Sequence, residues 1–145
     1  MKRVYPREDL CMGCRLCEVW CTVQHSRSHD PFKAYRLEHP RPTARVRVNE
    51  SGPGSFAVQC RHCPEPHCLY ACPSGALHRD ERGAVAHDPQ KCMGCWSCIM
   101  ACPFGAIQRD ERARRVASKC DLCPGEGVPA CVSHCPNQAL VLLEG

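Results

Sequence analysis

Sixteen cysteines fall into four groups of four along this 145-residue chain, and we call the groups quartets one to four in chain order. Thiolates at their spacings are typical ligands of cubane iron-sulfur clusters, which take four cysteines each. The sequence therefore predicts four 4Fe-4S clusters. The predicted ligands are Cys11, Cys14, Cys17 and Cys21; Cys60, Cys63, Cys68 and Cys72; Cys92, Cys95, Cys98 and Cys102; and Cys120, Cys123, Cys131 and Cys135.

The spacing within a quartet indicates how a cluster is held. Quartets one and three are CxxCxxCxxxC runs, in which three thiolates on a tight loop can converge on one cubane. The fourth cysteine follows three residues later, where we expect a helical turn that directs its side chain toward a neighbouring cluster. In quartets two, three and four the next residue is proline, at Pro73, Pro103 and Pro136, which ends regular structure. Clusters are therefore expected in pairs that exchange their fourth ligands.

Several residues between the ligands suit a position close to a cluster. Gly13 and Gly94 occupy matching positions in quartets one and three and favour either a close approach of the backbone or an ordinary turn. His62 and His67 lie inside quartet two, where an imidazole can donate a hydrogen bond to cluster sulfur. Because every quartet is complete, no histidine is needed as a ligand.

Two other uses of cysteine explain the pattern less well. Zinc sites take CxxC pairs two at a time and have no use for the third cysteine of CxxCxxC or for a fourth one before proline. A disulfide framework requires an oxidising compartment and does not explain evenly patterned quartets. A zinc-binding structural module stands as the alternative of another class.

Apolar residues are too few for an ordinary core. Leu, Ile, Val and Phe account for 25 of the 145 residues, or 17%, below the roughly 20% under which charged chains are usually disordered. We therefore expect a single domain, residues 1–145, with a small irregular core made of buried clusters and their thiolate bonds.

The formal charge of +4 counts every cysteine as a neutral thiol. Four oxidised clusters of about two negative charges each bring the protein to about −4, so we expect no nucleic-acid partner. The amino terminus has no apolar segment of a secretory signal, and no stretch is long and apolar enough to span a membrane. We expect a reducing cytoplasm, and membrane association through a partner is left open.

An internal repeat of 30 residues links quartets two and three. Residues 71–82 realign on residues 101–112, and residues 135–140 repeat the start of the motif. Each copy predicts a cluster loop, one helical turn, and then a short strand and a turn. Spacing alone leaves open whether quartet three pairs with quartet two or quartet four, because 19 and 17 residues separate them.

The longest stretch without cysteine is an insert, residues 22–59. Alternating runs at 45–48 and 55–58 flank a Gly- and Pro-rich centre at 49–54, which predicts a β-hairpin. Because the insert supplies no ligand, we expect it to be either a cover for a cluster pair or a docking surface.

The quartets, the hairpin and four strings of sequence resemble the four-cluster ferredoxin-like subunits of multi-subunit oxidoreductases. The strings are CRLCEVWC, QCRHCPEPHC, CMGCWSCIMACPFGAI and SKCDLCPGEGVPACVSHCPNQAL. Within this family, the short length and the strings CRHC and GCWSC are most similar to the electron-transfer subunit of nickel carbon monoxide dehydrogenase. The resemblance implies an α+β fold of two fused bacterial-ferredoxin-like modules with an inserted β-hairpin.

The resemblance also implies a nested pairing, residues 11–21 with 120–135 and residues 60–72 with 92–102. Two positions depart from the family, since Thr22 stands where proline follows the other fourth cysteines and seven residues separate Cys123 from Cys131. The implied ligand sets are Cys11, Cys14, Cys17 and Cys135; Cys120, Cys123, Cys131 and Cys21; Cys60, Cys63, Cys68 and Cys102; and Cys92, Cys95, Cys98 and Cys72.

The function implied by the resemblance is single-electron transfer between a catalytic oxidoreductase of the carbon monoxide dehydrogenase type and a downstream acceptor, such as a flavoprotein or a hydrogenase. The alternative partners are a tungsten or molybdenum aldehyde or formate oxidoreductase, or a hydrogenase. No other cofactor motif is present and no quartet lacks a ligand. We therefore expect a non-catalytic subunit rather than an enzyme.

Overall fold

The computed structural model of the chain describes residues 1–110 and 116–145. Its elements are short, and helical turns alternate with strand pairs along the chain. The strands are β1 (Lys2–Pro6), β2 (Arg47–Ser51), β3 (Gly54–Val58), β4 (Leu77–Arg79), β5 (Val85–His87), β6 (Gln108–Asp110), β7 (Val116–Ser118) and β8 (Leu140–Glu144). The helices are α1 (Leu16–Gln24), α2 (Pro31–Arg36), α3 (His67–Tyr70), α4 (Ser97–Ala101) and α5 (Ala130–Ser133), with a 3-10 turn at Glu8–Leu10.

Within the described residues, the strands form four separate antiparallel pairs. β1 pairs with β8, with Val4 opposite Leu142, so the two ends of the chain lie side by side. β4 pairs with β5 and β6 with β7, each pair following a short helix as the 30-residue repeat predicts. Positions 111 and 112 of the repeat lie outside the described residues. The predicted α+β, ferredoxin-like fold is confirmed.

The hairpin predicted in the insert is formed by β2 and β3. Its strands extend further toward the turn than the sequence pattern predicts, because Ser51 pairs with Gly54 and only two residues remain between them. The backbone N–H of Val48 donates a hydrogen bond to the Glu18 carboxylate, at 2.6 Å. This bond fixes the hairpin to α1, beside quartet one.

Proline decides where the helices that precede the fourth cysteines end. α3, α4 and α5 each end one or two residues before a Cys-Pro pair, because a residue before proline is disfavoured in helical conformation. Cys102 accordingly has extended backbone angles, with φ −79° and ψ 112°. In quartet one Thr22 replaces the proline, and α1 continues through Cys21 to Gln24.

Two helix pairs position the quartets. α1 packs against α5, and α3 packs against α4. The rings of Trp20 in α1 and His134 after α5 are stacked, with centroids 3.8 Å apart and planes 15° apart. No helix in residues 1–110 or 116–145 is long and apolar enough to cross a membrane.

The interior is built from small residues and thiols. One group of buried side chains contains Cys17, Cys21, Cys60, Cys120 and Cys131 together with Val4, Val46, Val48, Leu122 and Leu140. A second group contains Cys98 with Leu77, Val85, Ile107 and Ala117. Cysteine sulfur thus occupies positions that branched aliphatic side chains take in an ordinary core.

Removing iron is expected to unfold the protein. An iron chelator added to anaerobically purified protein should abolish the visible absorption and the native far-ultraviolet circular dichroism together, because the thiols alone leave too little apolar burial. Chelator saturated with iron beforehand serves as the control. Native circular dichroism that persists after complete loss of iron would contradict this prediction.

Candidate iron-sulfur sites

A small apolar cavity lies between the two ends of the chain. It is lined by the three cysteines of residues 11–17 and by Cys135 of quartet four. Val48 and Ala57 of the inserted hairpin and Leu140 of β8 form part of its walls. Residues 11–17 reach the end of the chain because β1 and β8 are paired. Four thiols from two distant segments therefore face one space.

The sixteen cysteines differ in depth. Cys14 and Cys95, the middle cysteines of the loops in quartets one and three, are exposed. The buried ones are Cys17, Cys21, Cys60, Cys98, Cys120, Cys123 and Cys131, and the partly buried ones are Cys11, Cys63, Cys68, Cys72, Cys92, Cys102 and Cys135. Candidate ligand sulfur therefore reaches the surface on the loops of quartets one and three.

Cys21, the fourth cysteine of quartet one, lies with quartet four. Burial raises the pKa of the Cys131 thiol, and the neighbouring thiols of Cys120, Cys21 and Cys123 raise it further. Cys21 is thus close enough for its charge to act on the quartet at the other end of the chain.

The fourth cysteines of quartets two and three also lie near the quartet to which they do not belong. Burial raises the pKa of Cys68, and Cys60 and Cys102 are among the neighbouring thiols that add to the rise. Burial also raises the pKa of Cys98, to about 11, and Cys72 is the first of its thiol neighbours. Each fourth cysteine therefore lies near the opposite quartet.

In all four quartets, the residue two positions after the first cysteine has a left-handed backbone conformation. Gly13 and Gly94 have φ of 70°, Leu122 has φ of 58° and His62 has φ of 46°. In quartets four and two, the backbone N–H groups of Leu122 and His62 donate to the sulfur of the first cysteine, each at 3.4 Å. The sequence predicts a close approach of the backbone to the cluster only at Gly13 and Gly94, because positive φ is uncommon for residues other than glycine.

The fourth cysteines of quartets four and two receive backbone donors from the residues that follow them. The N–H of Ala139 donates to the sulfur of Cys135 at 3.2 Å. Burial alone would raise the pKa of Cys72, but backbone donors including Leu77 and Ala76 outweigh it and lower the pKa. The turn that follows the Cys-Pro pair thus stabilises thiolate charge.

Cys21 receives its donor from the insert instead. Because α1 continues past Thr22, the N–H of His25 donates to the Cys21 carbonyl oxygen rather than to its sulfur. The backbone N–H of Arg45, 24 residues after Cys21, donates to the sulfur at 3.1 Å. The insert therefore supplies the hydrogen-bond donor that the Cys-Pro turn supplies in quartets two and four.

Asp121 connects the insert to quartet four. Its carboxylate accepts hydrogen bonds from Nε2 of His25 at 3.2 Å, from Nη1 of Arg45 at 2.5 Å and from the backbone N–H of Cys123 at 3.0 Å. Burial would raise the pKa of Asp121, but His25 and Arg45 hold it well below its usual range. Burial would lower the pKa of His25, but hydrogen bonds to Asp121 and Cys21 outweigh it and raise the pKa to about 9.

Sequence reasoning does not find this network. His25 and Arg45 are 96 and 76 residues from Asp121, so only folding brings the three side chains together. The one local signal is that Asp121 directly follows the first cysteine of quartet four.

The donor groups fit bound 4Fe-4S clusters. Four thiols line one cavity, and backbone N–H groups point at thiol sulfur in several quartets. His62 also fits a bound cluster. Its Nδ1 accepts the backbone N–H of Val85 at 3.1 Å, so its own proton is on Nε2. That Nε2 is buried without a hydrogen-bond partner among the described residues. A buried donor between Cys60 and Cys63 matches the sulfide of a cluster held there.

This fold and these cysteine loops define the class of ferredoxin-like iron-sulfur proteins. Residues 54–144 match the family described as the 4Fe-4S dicluster domain, and quartet one lies before the matched residues. An iron-sulfur protein of Rhodospirillum rubrum is 38% identical over 156 aligned residues, which cover 97% of this chain and 81% of that protein. The chain belongs to the 4Fe-4S dicluster family of ferredoxin-like electron-transfer proteins.

A further relative agrees with this assignment, and a solved structure shares the fold. The thiosulfate reductase electron transfer subunit PhsB of Salmonella typhi is 34% identical, over 92% of this chain and 70% of that subunit. Among solved structures, a chain of the active site complex BamBC of benzoyl coenzyme A reductase, in complex with zinc, superimposes with a TM-score of 0.54. It is 24% identical, and the match covers 99% of this chain and 78% of that chain. At this identity the likeness shows the fold alone.

Replacing Asp121 with asparagine is expected to weaken the contact between the insert and quartet four. The amide has no charge to balance Arg45 and His25, so we expect a loss of about 2 kcal/mol of stability. The guanidinium midpoint for loss of visible absorption should fall. Asp88→Asn is the matched control, because among the described residues the Asp88 side chain accepts only an exposed hydrogen bond, from the backbone N–H of Gln90. Equal midpoints for Asp121→Asn and the wild type would contradict the prediction.

Proposed function

We propose that the chain is the iron-sulfur electron-transfer subunit of an oxidoreductase complex and holds four 4Fe-4S clusters in one domain, residues 1–145. Quartet one exchanges its fourth ligand with quartet four, and quartet two with quartet three. The proposed ligand sets are Cys11, Cys14, Cys17 and Cys135; Cys120, Cys123, Cys131 and Cys21; Cys60, Cys63, Cys68 and Cys102; and Cys92, Cys95, Cys98 and Cys72.

The cavity between the chain ends carries this proposal. A cubane cluster takes four sulfur ligands, and Cys135 faces the same space as the three cysteines of residues 11–17 although it belongs to the opposite end of the chain. The thiol neighbours of Cys131, Cys68 and Cys98 support the other three sets.

Bound 4Fe-4S clusters supply one-electron oxidation and reduction, at potentials that proteins set between roughly −700 and +450 mV. The chain contributes the ligands and their surroundings. The N–H groups of Arg45 and Ala139 stabilise negative charge on the sulfur of Cys21 and Cys135. Burial of six further thiols keeps water away from their sulfur, namely those of Cys17, Cys60, Cys98, Cys120, Cys123 and Cys131.

The proposed ligand sets use all sixteen cysteines, so no iron is left with an open coordination position. We therefore propose a non-catalytic subunit that moves electrons and leaves substrate chemistry to its partner. The thiosulfate reductase relative, which is named as an electron transfer subunit, supports this division of roles. A reducing cytoplasm is the proposed compartment, because it keeps cysteine thiols free to bind iron.

The first candidate partner is a catalytic subunit of the carbon monoxide dehydrogenase type, with a flavoprotein or a hydrogenase as the downstream acceptor. The strings CRHC and GCWSC support it. A tungsten or molybdenum aldehyde or formate oxidoreductase, or a hydrogenase, is the second candidate. The similarity to a thiosulfate reductase subunit supports this second candidate, because that relative is named for an oxidoreductase other than a carbon monoxide dehydrogenase.

Anaerobically purified protein is expected to contain about sixteen iron atoms per chain and to show a broad visible absorption that dithionite bleaches. The tagged chain, isolated from its native host, should bring down a catalytic oxidoreductase subunit. The reduced chain should return about four electrons to an acceptor. By itself it should turn over neither carbon monoxide, nor aldehydes, nor formate. A colourless folded protein, which zinc would give, or turnover by the isolated chain would contradict the proposal.

The nested pairing is tested by comparing serine substitutions. Cys72→Ser and Cys95→Ser are expected to alter the same signal in the electron paramagnetic resonance (EPR) spectrum of the reduced protein, because both residues belong to one ligand set. Cys63→Ser is the matched comparison and should alter a different signal. If Cys72→Ser and Cys63→Ser altered one common signal, the fourth cysteine would serve its own quartet and the pairing would be wrong.

A further inference from the structure

Lys119 is a buried cation directly before the first cysteine of quartet four. It is 2% exposed. Its Nζ donates hydrogen bonds to the backbone carbonyl oxygens of Val85 and Cys120, the second at 2.8 Å. Within the part of the chain that the structure describes, no carboxylate forms an ion pair with it.

A buried ammonium requires negative charge nearby. Two carbonyl groups replace only part of its hydration, and an unpaired buried ion costs several kcal/mol. Two nearby carboxylates have other cationic partners, since Asp80 pairs with Arg82 at 2.8 Å and Asp121 pairs with Arg45 at 2.5 Å. Among the described residues, the cysteine ligands and what they bind are then the groups that can balance Lys119.

The charge of Lys119 reaches two quartets. Its Nζ is bonded to the carbonyl oxygen of Cys120 in quartet four, and Val85, which accepts its other bond, donates its own N–H to Nδ1 of His62 in quartet two. Cys60 of quartet two and Cys120 of quartet four belong to one group of buried side chains. Lys119 therefore lies where the two cluster pairs of the proposed arrangement meet.

His62 does not share this role. Its Nδ1 accepts the backbone N–H of Val85 at 3.1 Å, so the imidazole carries its proton on Nε2 alone and is neutral. It acts as a hydrogen-bond donor, and Lys119 supplies the charge.

We propose that Lys119 provides a fixed positive charge that favours electron uptake by the 4Fe-4S clusters of quartets two and four over those of quartets one and three. The inference rests on the proposed function, since it requires bound clusters. One electron from the reduced partner adds one negative charge to a cluster, and no proton is taken up. A fixed cation nearby stabilises the reduced form more than the oxidised form.

Lys91 offers a matched control. It precedes the first cysteine of quartet three just as Lys119 precedes that of quartet four. Lys91 is exposed, so water screens its charge.

The test is an anaerobic redox titration of the complete protein, followed by EPR. Lys119→Met is expected to keep its iron. The reduction potentials of the clusters of quartets two and four should become more negative, which corresponds to a fall of about tenfold in the equilibrium constant for their reduction. Lys91→Met should leave all four unchanged. Lys119→Arg should restore values near those of the wild type, because it keeps the charge.

Unchanged potentials in a Lys119→Met protein that holds all four clusters would overturn the inference and leave the proposed function intact. An equal shift of all four potentials, or the same shift in Lys91→Met, would also overturn it. If Lys119→Met does not assemble clusters, Lys119→Gln is compared with Lys119→Arg. Loss of clusters in both would show that the shape of the side chain matters rather than its charge, which also overturns the inference. A colourless wild-type protein would instead defeat the proposed function.

Discussion

Thiols occupy the interior of this protein where other proteins place hydrocarbon, and their charge has to be accommodated there. Burial raises the pKa of Cys17 and Cys120 to about 12, so at neutral pH these side chains become metal-binding thiolates only if the metal offsets the cost. Few apolar residues are available to hold the chain together without that contribution. In the proposed arrangement, iron binding and folding are therefore one process.

Much of the local structure serves to stabilise charge on sulfur. A residue with positive φ lies two positions after the first cysteine of each quartet, and in quartets two and four its N–H donates to the sulfur. In quartets two and four the turn after the Cys-Pro pair donates to the fourth cysteine. Where Thr22 replaces proline, the insert supplies the missing donor through Arg45. The insert also lines the cavity at quartet one through Val48 and Ala57. In the proposed arrangement it is thus part of the ligand surroundings, a role that goes beyond covering the cavity.

Cationic side chains are distributed by depth. Arg45 and His25 are balanced by Asp121, which ties the insert to quartet four. Lys119 is buried among backbone carbonyls and thiols, whereas Lys91, in the matching position, is exposed. The formal charge of +4 conceals this difference, because it counts interior and surface cations alike. An interior cation acts on its surroundings through a low dielectric, so its position matters more than its number.

The 4Fe-4S class, the α+β fold, the hairpin and the helix ends could be predicted from the sequence. Cysteine spacing and proline act within a few residues, so they need no knowledge of the rest of the chain. Spacing alone left the pairing of the quartets open. The close contact of residues 11–17 with Cys135, the bond from Arg45 to Cys21 and the burial of Lys119 arose only when the chain folded. Each depends on segments far apart in sequence that are brought together by the pairing of β1 with β8 and by the packing of α1 on α5.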